Sequence, residues 1–470
     1  MIVLKTYKLF LSVIFSVFIC SCEKMVDVGS PLDKVAADFV YSKNTTAPSV
    51  LTGIYFDMQR EYSGFAQGRS GLSFYCGLSA DEFNVVPSSI YENAYNNYDH
   101  WDYWTPFYNY IYRINAAIEG LSSSSTISSD VKKQLLGEAF FMRGFFYFYL
   151  LNLYGNIPIV TTTDYKKNSL VSTSNSGQVY ELIISDLMNA KSLLNSKFVG
   201  NDALSISDER IRPNKWAALA LLARVYLYTN NWKAAETQAD SVIDQGATFA
   251  LCETDGVFLK NSSEAIWQIQ PISDDGQFLN TLDANLFILS NGAPDFFVNP
   301  VWLRSEFVAS FESGDRRKLN WMSVDSSTGV TYYYPYKYKN YLPNTPQVEY
   351  IMVLRLAEQY LIRAEARTEL GNLNGAEDDL NTIRQRAGLD KLSGLSKESL
   401  LNAIIIERNS EFFAEWGHRW LDLKRLRKLD KVMIEVKPNS WKLYMQWYPV
   451  PLRDLLYNPN LVQNEGYPSS

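Results

Sequence analysis

The sequence predicts a mostly α-helical protein in which tetratricopeptide-like helical pairs scaffold a loop-rich insertion with a few short strands. Three observations favour this fold class. Apolar residues recur at helical spacing, two hairpins share one pattern of small and bulky residues, and the helical period is lost between them. Helices are predicted over 46–62, 101–121, 130–154, 176–196, 212–229, 232–245, 350–370, 373–387 and 396–415.

The two central hairpins carry the repeat pattern. Small residues let paired helices approach closely, and bulky residues fill the gap between them. In the first hairpin these positions are Ala223, Tyr226, Trp232, Ala235, Ala239 and Val242. The second hairpin matches at Ala364, Leu373, Ala376 and Ile383 but departs at Arg367 and Leu380. A tetratricopeptide-like pair fits this spacing, with a generic helical hairpin as the alternative.

Residues 246–348 separate the two hairpins and have no helical period. They are rich in Gly, Pro, Asn, Asp and Ser, with apolar or aromatic runs at 265–269 and 331–338. This composition predicts an irregular insertion with short strands at those runs. Long loops on a rigid scaffold are common sites of ligand recognition, so the insertion is expected to contribute to binding.

The N-terminus predicts export. Lys5 and Lys8 precede a short apolar stretch that ends near Cys22, and about a dozen apolar residues are too few to span a bilayer. We expect a lipoprotein signal peptide over 1–21, lipidation of Cys22, a tether over 22–45 and one folded domain over 46–470. An ordinary cleaved signal peptide is the alternative.

Composition narrows the function classes. The formal net charge is -7 and no dense basic cluster occurs, so a nucleic-acid partner is not expected. The 2 histidines, His100 and His418, cannot build a multi-histidine metal site, and neither a metal nor another cofactor is expected. Cys76 and Cys252 could form a disulfide in an oxidising compartment or remain free thiols.

Five segments resemble the SusD/RagB family in the same order along the chain: 136–158, 212–227, 353–366, 407–425 and 448–467. The first ends in Tyr154-Gly155-Asn156-Ile157-Pro158, similar to the family's Tyr-Gly-x-x-Pro exit from a helix. The most specific contains Glu415-Trp416-Gly417-His418-Arg419, which resembles the family's Glu-Gly-His-Arg signature except that Trp416 is inserted.

The resemblance implies a helical, non-catalytic, lipid-anchored protein of the outer membrane, exposed at the cell surface. It also implies capture of oligosaccharides or polysaccharides and delivery to a SusC-like TonB-dependent outer-membrane transporter. Some members bind peptides instead, so peptide capture by the same fold stays an alternative. A glycoside hydrolase is the third hypothesis, and it requires two carboxylates in one pocket.

The charged signature segment invites a catalytic interpretation because His418 lies near several carboxylates. Glu411, Glu415, Arg419 and Asp422 are predicted to lie along one helical face, where such rows usually form ion pairs with neighbours. We therefore predict a structural role for them and no catalytic residues. Asp81 and Glu82 are adjacent in the sequence, and adjacent carboxylates rarely face one cleft at the separation that a glycosidase needs.

The ligand is predicted to bind at the segment before the helix near residue 101. Aromatic rings offer flat apolar faces to sugar C–H groups, while Asn and Asp side chains bond hydroxyl groups. The candidate ligand-binding residues are Asp81, Tyr91, Asn93, Tyr95, Tyr98 and Trp101. The alternative is that these rings cap the helical core, the role expected for Trp104 and Asn115. A second wall could come from the insertion near Phe278 and Asn280.

Overall fold

The computed structural model describes residues 39–273 and 276–469, and helices dominate them. The fold-class prediction is confirmed. The helices are α1 (Pro48–Met58), α2 (Leu72–Ser79), α3 (Glu92–Tyr95), α4 (Trp104–Ser123), α5 (Ser129–Tyr154), α6 (Tyr165–Asn168), α7 (Ser176–Leu193), α8 (Lys215–Tyr228), α9 (Trp232–Ile243), α10 (Leu282–Phe287), α11 (Ser305–Ala309), α12 (Arg316–Asn320), α13 (Leu356–Glu369), α14 (Leu373–Arg386), α15 (Lys397–Phe412), α16 (His418–Arg425), α17 (Leu429–Val436) and α18 (Leu452–Tyr457).

The strands are short and pair antiparallel into two-stranded sheets, β1 with β5, β2 with β3, β4 with β8, and β6 with β7. They are β1 (Phe83–Val85), β2 (Ile157–Pro158), β3 (Thr173–Ser174), β4 (Ala265–Ile269), β5 (Val301–Leu303), β6 (Met322–Asp325), β7 (Tyr332–Pro335) and β8 (Ile351–Arg355). Strands β4 and β7 confirm the two runs predicted in the insertion.

Helix α5 is the centre of the hydrophobic core. Almost all of its second half is buried, so it is apolar on every face rather than on one stripe. It ends at Gly155, whose φ of 76° is a left-handed conformation that glycine adopts without a steric penalty. Along the core, α4, α5, α7, α8, α9, α13 and α14 pack each against the next.

The two predicted hairpins are α8–α9 and α13–α14, and their turns are equivalent. Asn231 caps α9 by accepting from the Ala234 backbone N–H, and Asn372 caps α14 by accepting from the Gly375 N–H. The residue before each cap has a positive φ, 56° at Asn230 and 84° at Gly371. Pairing of β4 with β8 returns the chain from the insertion, so that α9 packs against α13.

Arg367 occupies the position in the second hairpin that Tyr226 occupies in the first, and this position lies where the two hairpins meet. Its guanidinium contacts Glu236 and Asp240 of α9 as well as Asp379 of α14. Arg363, one turn earlier, contacts Asp240 and Asp379 as well. The departure from the repeat pattern therefore joins the two hairpins by ion pairs.

Several predicted helix boundaries are wrong, and two of these errors conceal other structure. Residues 351–355 form strand β8 rather than the start of a helix, because this β-branched, apolar run pairs with β4 and is buried on both faces. The helix predicted over 396–415 ends at Phe412, and the chain turns through left-handed Ala414, Trp416 and Gly417 before α16 begins.

The N-terminal predictions fall outside the described residues. The signal peptide, the lipidation site Cys22 and most of the tether lie in residues 1–38 and remain predictions. Within the described ranges, no helix is long and apolar enough to cross a bilayer.

Candidate functional site

The predicted ligand segment lies between β1 and α4 and folds over α2. Tyr91 is buried, with its ring edge-on against Phe74 at 4.9 Å between centroids and 6.3 Å from Tyr75. Burial raises the pKa of Tyr91, and the Arg69 guanidinium partly opposes that shift. Tyr91 therefore supports the segment from below instead of offering an open ring face.

Trp101 lies on the same aromatic group but reaches solvent. Its ring is 5.5 Å from Tyr75 between centroids, tilted by 36°, and the side chain is half-buried. We call Tyr75, Tyr91 and Trp101, with the neighbouring Tyr62 and Arg69, the Trp101 cluster. Its partly exposed indole, packed against Tyr75, can stack on the apolar face of a ligand.

Tyr98 and Asn93 are the exposed candidates of the segment. The Tyr98 side chain is 57% exposed, and its backbone N–H donates to the Asn93 carbonyl at 2.9 Å. This bond closes the turn that carries both side chains on the surface, three residues before Trp101. The structure thus brings Asn93, Tyr98 and Trp101 to one exposed segment.

Tyr95 has a packing role on the opposite side of α3. The Lys437 ammonium lies 4.8 Å from its ring centroid and donates to the Leu78 and Ser79 carbonyl oxygens at the end of α2. Burial lowers the pKa of Lys437 well below its usual range, which shows how dry this contact is. One face of the Tyr95 ring is therefore occupied.

Asp81 is held by the scaffold. Both of its carboxylate oxygens accept from Arg419, at 2.7 and 2.6 Å. The preceding helix, α2, ends at Ser79, and Asp81 meets Arg419 at the start of α16. This bidentate pair leaves Asp81 apart from the exposed side chains of the ligand segment.

Glu82, the residue after Asp81, is buried. Burial raises the pKa of Glu82 to about 8, and its carboxyl accepts from the Ala414 N–H at 3.1 Å. The nearby cavity beside Asp283 and Lys337 has a volume of only about 10 Å³. That volume holds about one water molecule, and Glu82 itself is only 2% exposed, so a glycosidic bond does not reach its carboxyl group.

Tyr62 and Arg69 are two further binding candidates that the sequence pattern did not predict. Tyr62 is 60% exposed, and Arg69 donates to its hydroxyl at 3.2 Å while pairing with Glu61 at 2.6 Å. The prediction of a helix over 46–62 concealed them, because α1 ends at Met58 and a loop follows. The helix-breaking Ser63-Gly64 pair was the available signal.

The charged signature segment forms a buried network. We call Glu264, Arg317, Arg355, Arg386 and Glu411 the Glu411 cluster. Glu411 accepts from all three arginines, and Arg355 also contacts Glu264 at 2.9 Å. Burial alone would raise the pKa of Glu411, but the three guanidinium groups hold it well below its usual range.

The predicted row of charges along one helical face is wrong, since the chain turns between α15 and α16. Glu415 pairs with Lys337 and Arg355, Arg419 with Asp81, and Asp422 with Arg408 and Arg425. His418 is buried and stacks on Phe412 at 4.7 Å, and burial with Arg224 and Arg408 nearby keeps its pKa far below normal. These groups are committed to structural contacts.

The remaining candidates have structural contacts too. The Asn280 amide donates to the Pro346 carbonyl and accepts from the Val348 and Glu349 N–H groups, so it braces the insertion. Trp104 and Asn115 are buried as predicted. Cys76 and Cys252 are free thiols, and the described residues contain no group of side chains suited to a metal ion.

Comparison with known proteins identifies the family. One family model, described as starch-binding and associating with the outer membrane, matches residues 42–227, and the SusD family model matches residues 304–467. The chain belongs to the SusD/RagB family. The SusD-like protein P25 of Formosa agariphila is 25% identical over 97% of this SusD/RagB chain and 98% of its own length. The starch-binding protein SusD of Bacteroides thetaiotaomicron is 31% identical over 33% of this chain and 29% of its own.

Solved SusD-type structures share the fold. A SusD superfamily protein of Bacteroides vulgatus superimposes with a TM-score of 0.78 and 21% identity, covering 90% of this chain and 99% of its own. A laminarin-binding SusD-like protein gives a TM-score of 0.74 and 22% identity, with 90% and 99% coverage. The family as a whole is associated with the outer membrane.

Proposed function

We propose that this protein captures oligosaccharides or polysaccharides at the bacterial surface without cleaving them. The supporting observation is the Trp101 cluster, a half-exposed indole that packs on Tyr75, which in turn packs on Tyr91, in the segment that also carries exposed Tyr98 and Asn93. The indole can stack on the apolar face of a sugar ring. Asn93, Tyr62 and Arg69 can form hydrogen bonds with the sugar hydroxyl groups. Relatives described as binding starch and laminarin agree with this ligand class.

The absence of turnover is part of the proposal. Asp81 is neutralised by Arg419 and Glu82 is buried against Ala414, so neither is placed to act on a bound glycan. A retaining or inverting glycosidase needs two carboxyl groups flanking one bond. We expect binding without product release.

Delivery to a SusC-like TonB-dependent transporter and lipid anchoring at Cys22 complete the proposed role. The family description supports an outer-membrane setting. Isolation of the tagged protein from native outer membranes, followed by mass spectrometry, should yield a TonB-dependent barrel and a lipidated Cys22. Recovery without any barrel, or with an unmodified cysteine, would contradict these parts of the proposal.

The ligand is tested by calorimetry on the detergent-solubilised protein with plant, host and microbial polysaccharides and a peptide digest. We expect one glycan class to bind, and Trp101→Ala with Tyr98→Ala to abolish the heat without unfolding. Phe297→Ala, at a 66% exposed side chain of the insertion, is the matched control. Binding of peptides alone would establish the alternative substrate class, and release of shortened sugars would establish an enzyme.

A further inference from the structure

An open pocket lies against α4. It is bounded by α4, the chain after β2, α6 and α18, and has a volume of about 330 Å³. Its aromatic lining consists of Trp104, Tyr108, Tyr112, Tyr165 and Tyr457. We call it the Tyr165 pocket; it shares no lining residue with the Trp101 cluster.

The floor of the Tyr165 pocket is rigid. Trp104 is buried, and its ring lies 4.9 Å from that of Tyr108 between centroids. The Tyr108 hydroxyl donates to the Pro158 carbonyl at 2.7 Å, which ties α4 to β2. A ligand would therefore meet a preformed apolar floor, the usual condition for a small-molecule site.

The walls of the Tyr165 pocket are three exposed tyrosines. Tyr112, Tyr165 and Tyr457 are 50%, 73% and 72% exposed, and the Arg453 guanidinium lies 5.5 Å from the Tyr457 ring centroid. Tyrosine walls present a flat apolar face and a hydroxyl group together. That combination suits a ring with apolar C–H faces and hydroxyl edges.

Polar acceptors lie at the rim of the Tyr165 pocket. The Asn168 amide donates to the Thr162 carbonyl at 2.8 Å, and among the described residues no protein group donates to its side-chain oxygen. Asp454, half-buried beside the Trp104 indole, adds a carboxylate. Two fixed acceptors near three ring faces can orient hydroxyl groups.

We propose that the Tyr165 pocket is a second saccharide-binding site, which takes a sugar unit of the same glycan that the Trp101 cluster binds. The inference takes its ligand class from the proposed function, and its location from the pocket alone. A concave site with a rigid floor and converging acceptors fits a small polar ring better than it fits the surface of a protein partner. Two sites on one glycan chain would raise its apparent affinity by multivalency.

The test compares the detergent-solubilised wild-type protein with a Tyr165→Ala/Tyr457→Ala double variant. The probes are the polysaccharide that binds in the calorimetric panel and its hexasaccharide. Both side chains are mostly exposed, so the variant should fold normally. We expect the polysaccharide to bind about tenfold more weakly and the hexasaccharide stoichiometry to fall from two to one. Phe297→Ala should change neither quantity.

The outcomes separate this inference from the proposed function. Wild-type stoichiometry of one with unchanged polysaccharide affinity in the double variant overturns the second site, while a loss of affinity in Trp101→Ala still supports the first. A double variant that keeps its glycan affinity but no longer co-purifies with a barrel would assign the pocket to a protein partner and reject the inference. If wild-type protein binds no glycan, both fail together.

Discussion

The Glu411 cluster and the Trp101 cluster show two opposite uses of polar and aromatic residues. In the Glu411 cluster, every carboxylate and guanidinium is buried and paired, with Arg355 also stacked 4.4 Å from the centroid of Phe412. In the Trp101 cluster, Tyr75 and Tyr91 are buried, while Trp101 and Tyr62 reach solvent. The polar groups of the Glu411 cluster bond to one another, whereas the Trp101 cluster leaves ring faces open to a ligand.

This difference decides which region can be changed without unfolding the protein. Removing one partner of a buried ion pair leaves a charge without compensation in a dry interior. Truncating an exposed ring removes little packing.

Glu411→Ala should lower the free energy of unfolding by about 3–5 kcal/mol, because Arg317, Arg355 and Arg386 would lose their shared carboxylate. Urea denaturation followed by circular dichroism measures the change. Glu398→Ala, at an exposed position in the first turn of α15, is the matched control. A loss below about 1 kcal/mol for Glu411→Ala would show that the cluster is not critical to the fold.

Glu82→Gln should stabilise the protein increasingly as pH rises. The folded pKa of Glu82, about 8, exceeds its ordinary value of 4.5, so wild-type stability from the neutral form is complete below pH 4.5 and is lost as pH rises toward 8. Gln cannot ionise and escapes that loss. The stability difference between variant and wild type should grow by up to ~1.4 kcal/mol per pH unit in this window.

Melting temperatures of wild type and Glu82→Gln between pH 5 and pH 8 measure this difference. Glu398→Gln is the control, since it makes the same substitution at a carboxyl that is exposed to solvent. If the melting temperatures of wild type and Glu82→Gln differ by the same amount at every pH, Glu82 is ionised in the folded protein throughout this range.

Asn372→Ala and Asn231→Ala should each cost about 1 kcal/mol, because each removes the side-chain acceptor that caps a helix. Equal losses, measured by chemical denaturation, would confirm that the two hairpins are energetically as well as geometrically equivalent. A much larger loss at Asn372 would indicate that the cap also orders the ion pairs of Arg367.

Tyr98→Ala should change the free energy of unfolding by less than about 0.5 kcal/mol, since its side chain is mostly exposed. Tyr91→Phe is the informative companion: it keeps the buried ring and removes only the hydroxyl near Arg69. Differential scanning calorimetry measures both. Strong destabilisation by Tyr98→Ala would place that ring in the core and remove it from the proposed site.

The long helices and their caps were predictable from the sequence because local signals determine them. Amphipathic or fully apolar runs, Asn caps and left-handed turn residues such as Gly371 act over a few residues. The boundaries at 350–355 and 413–417 were not predictable in the same way. Ile351–Arg355 becomes a strand only because β4, over eighty residues earlier, offers its edge.

The sequence predicts a candidate site at the segment 91–101 from its alternating aromatic and amide residues, and this assignment stays a prediction. The structure gives its tyrosines different surroundings: Tyr91 is buried against Phe74, and the Tyr95 ring faces the Lys437 ammonium. Tyr62 and Arg69 join the cluster from a distant loop. Exposure of a ring depends on which elements pack on it, and sequence spacing carries no such information.

By itself, the sequence determined the helical class, the two equivalent hairpins, the family and the segment that carries the candidate site, because periodicity, caps and motifs are local. Only the tertiary structure decided the turn at Gly417, where a Cβ would lie 2.6 Å from that of Cys76, and the partners of each charge. The physical reason is that burial and ion pairing depend on contacts between residues far apart in the chain, such as Asp81 with Arg419. Those contacts exist only once the helices have packed.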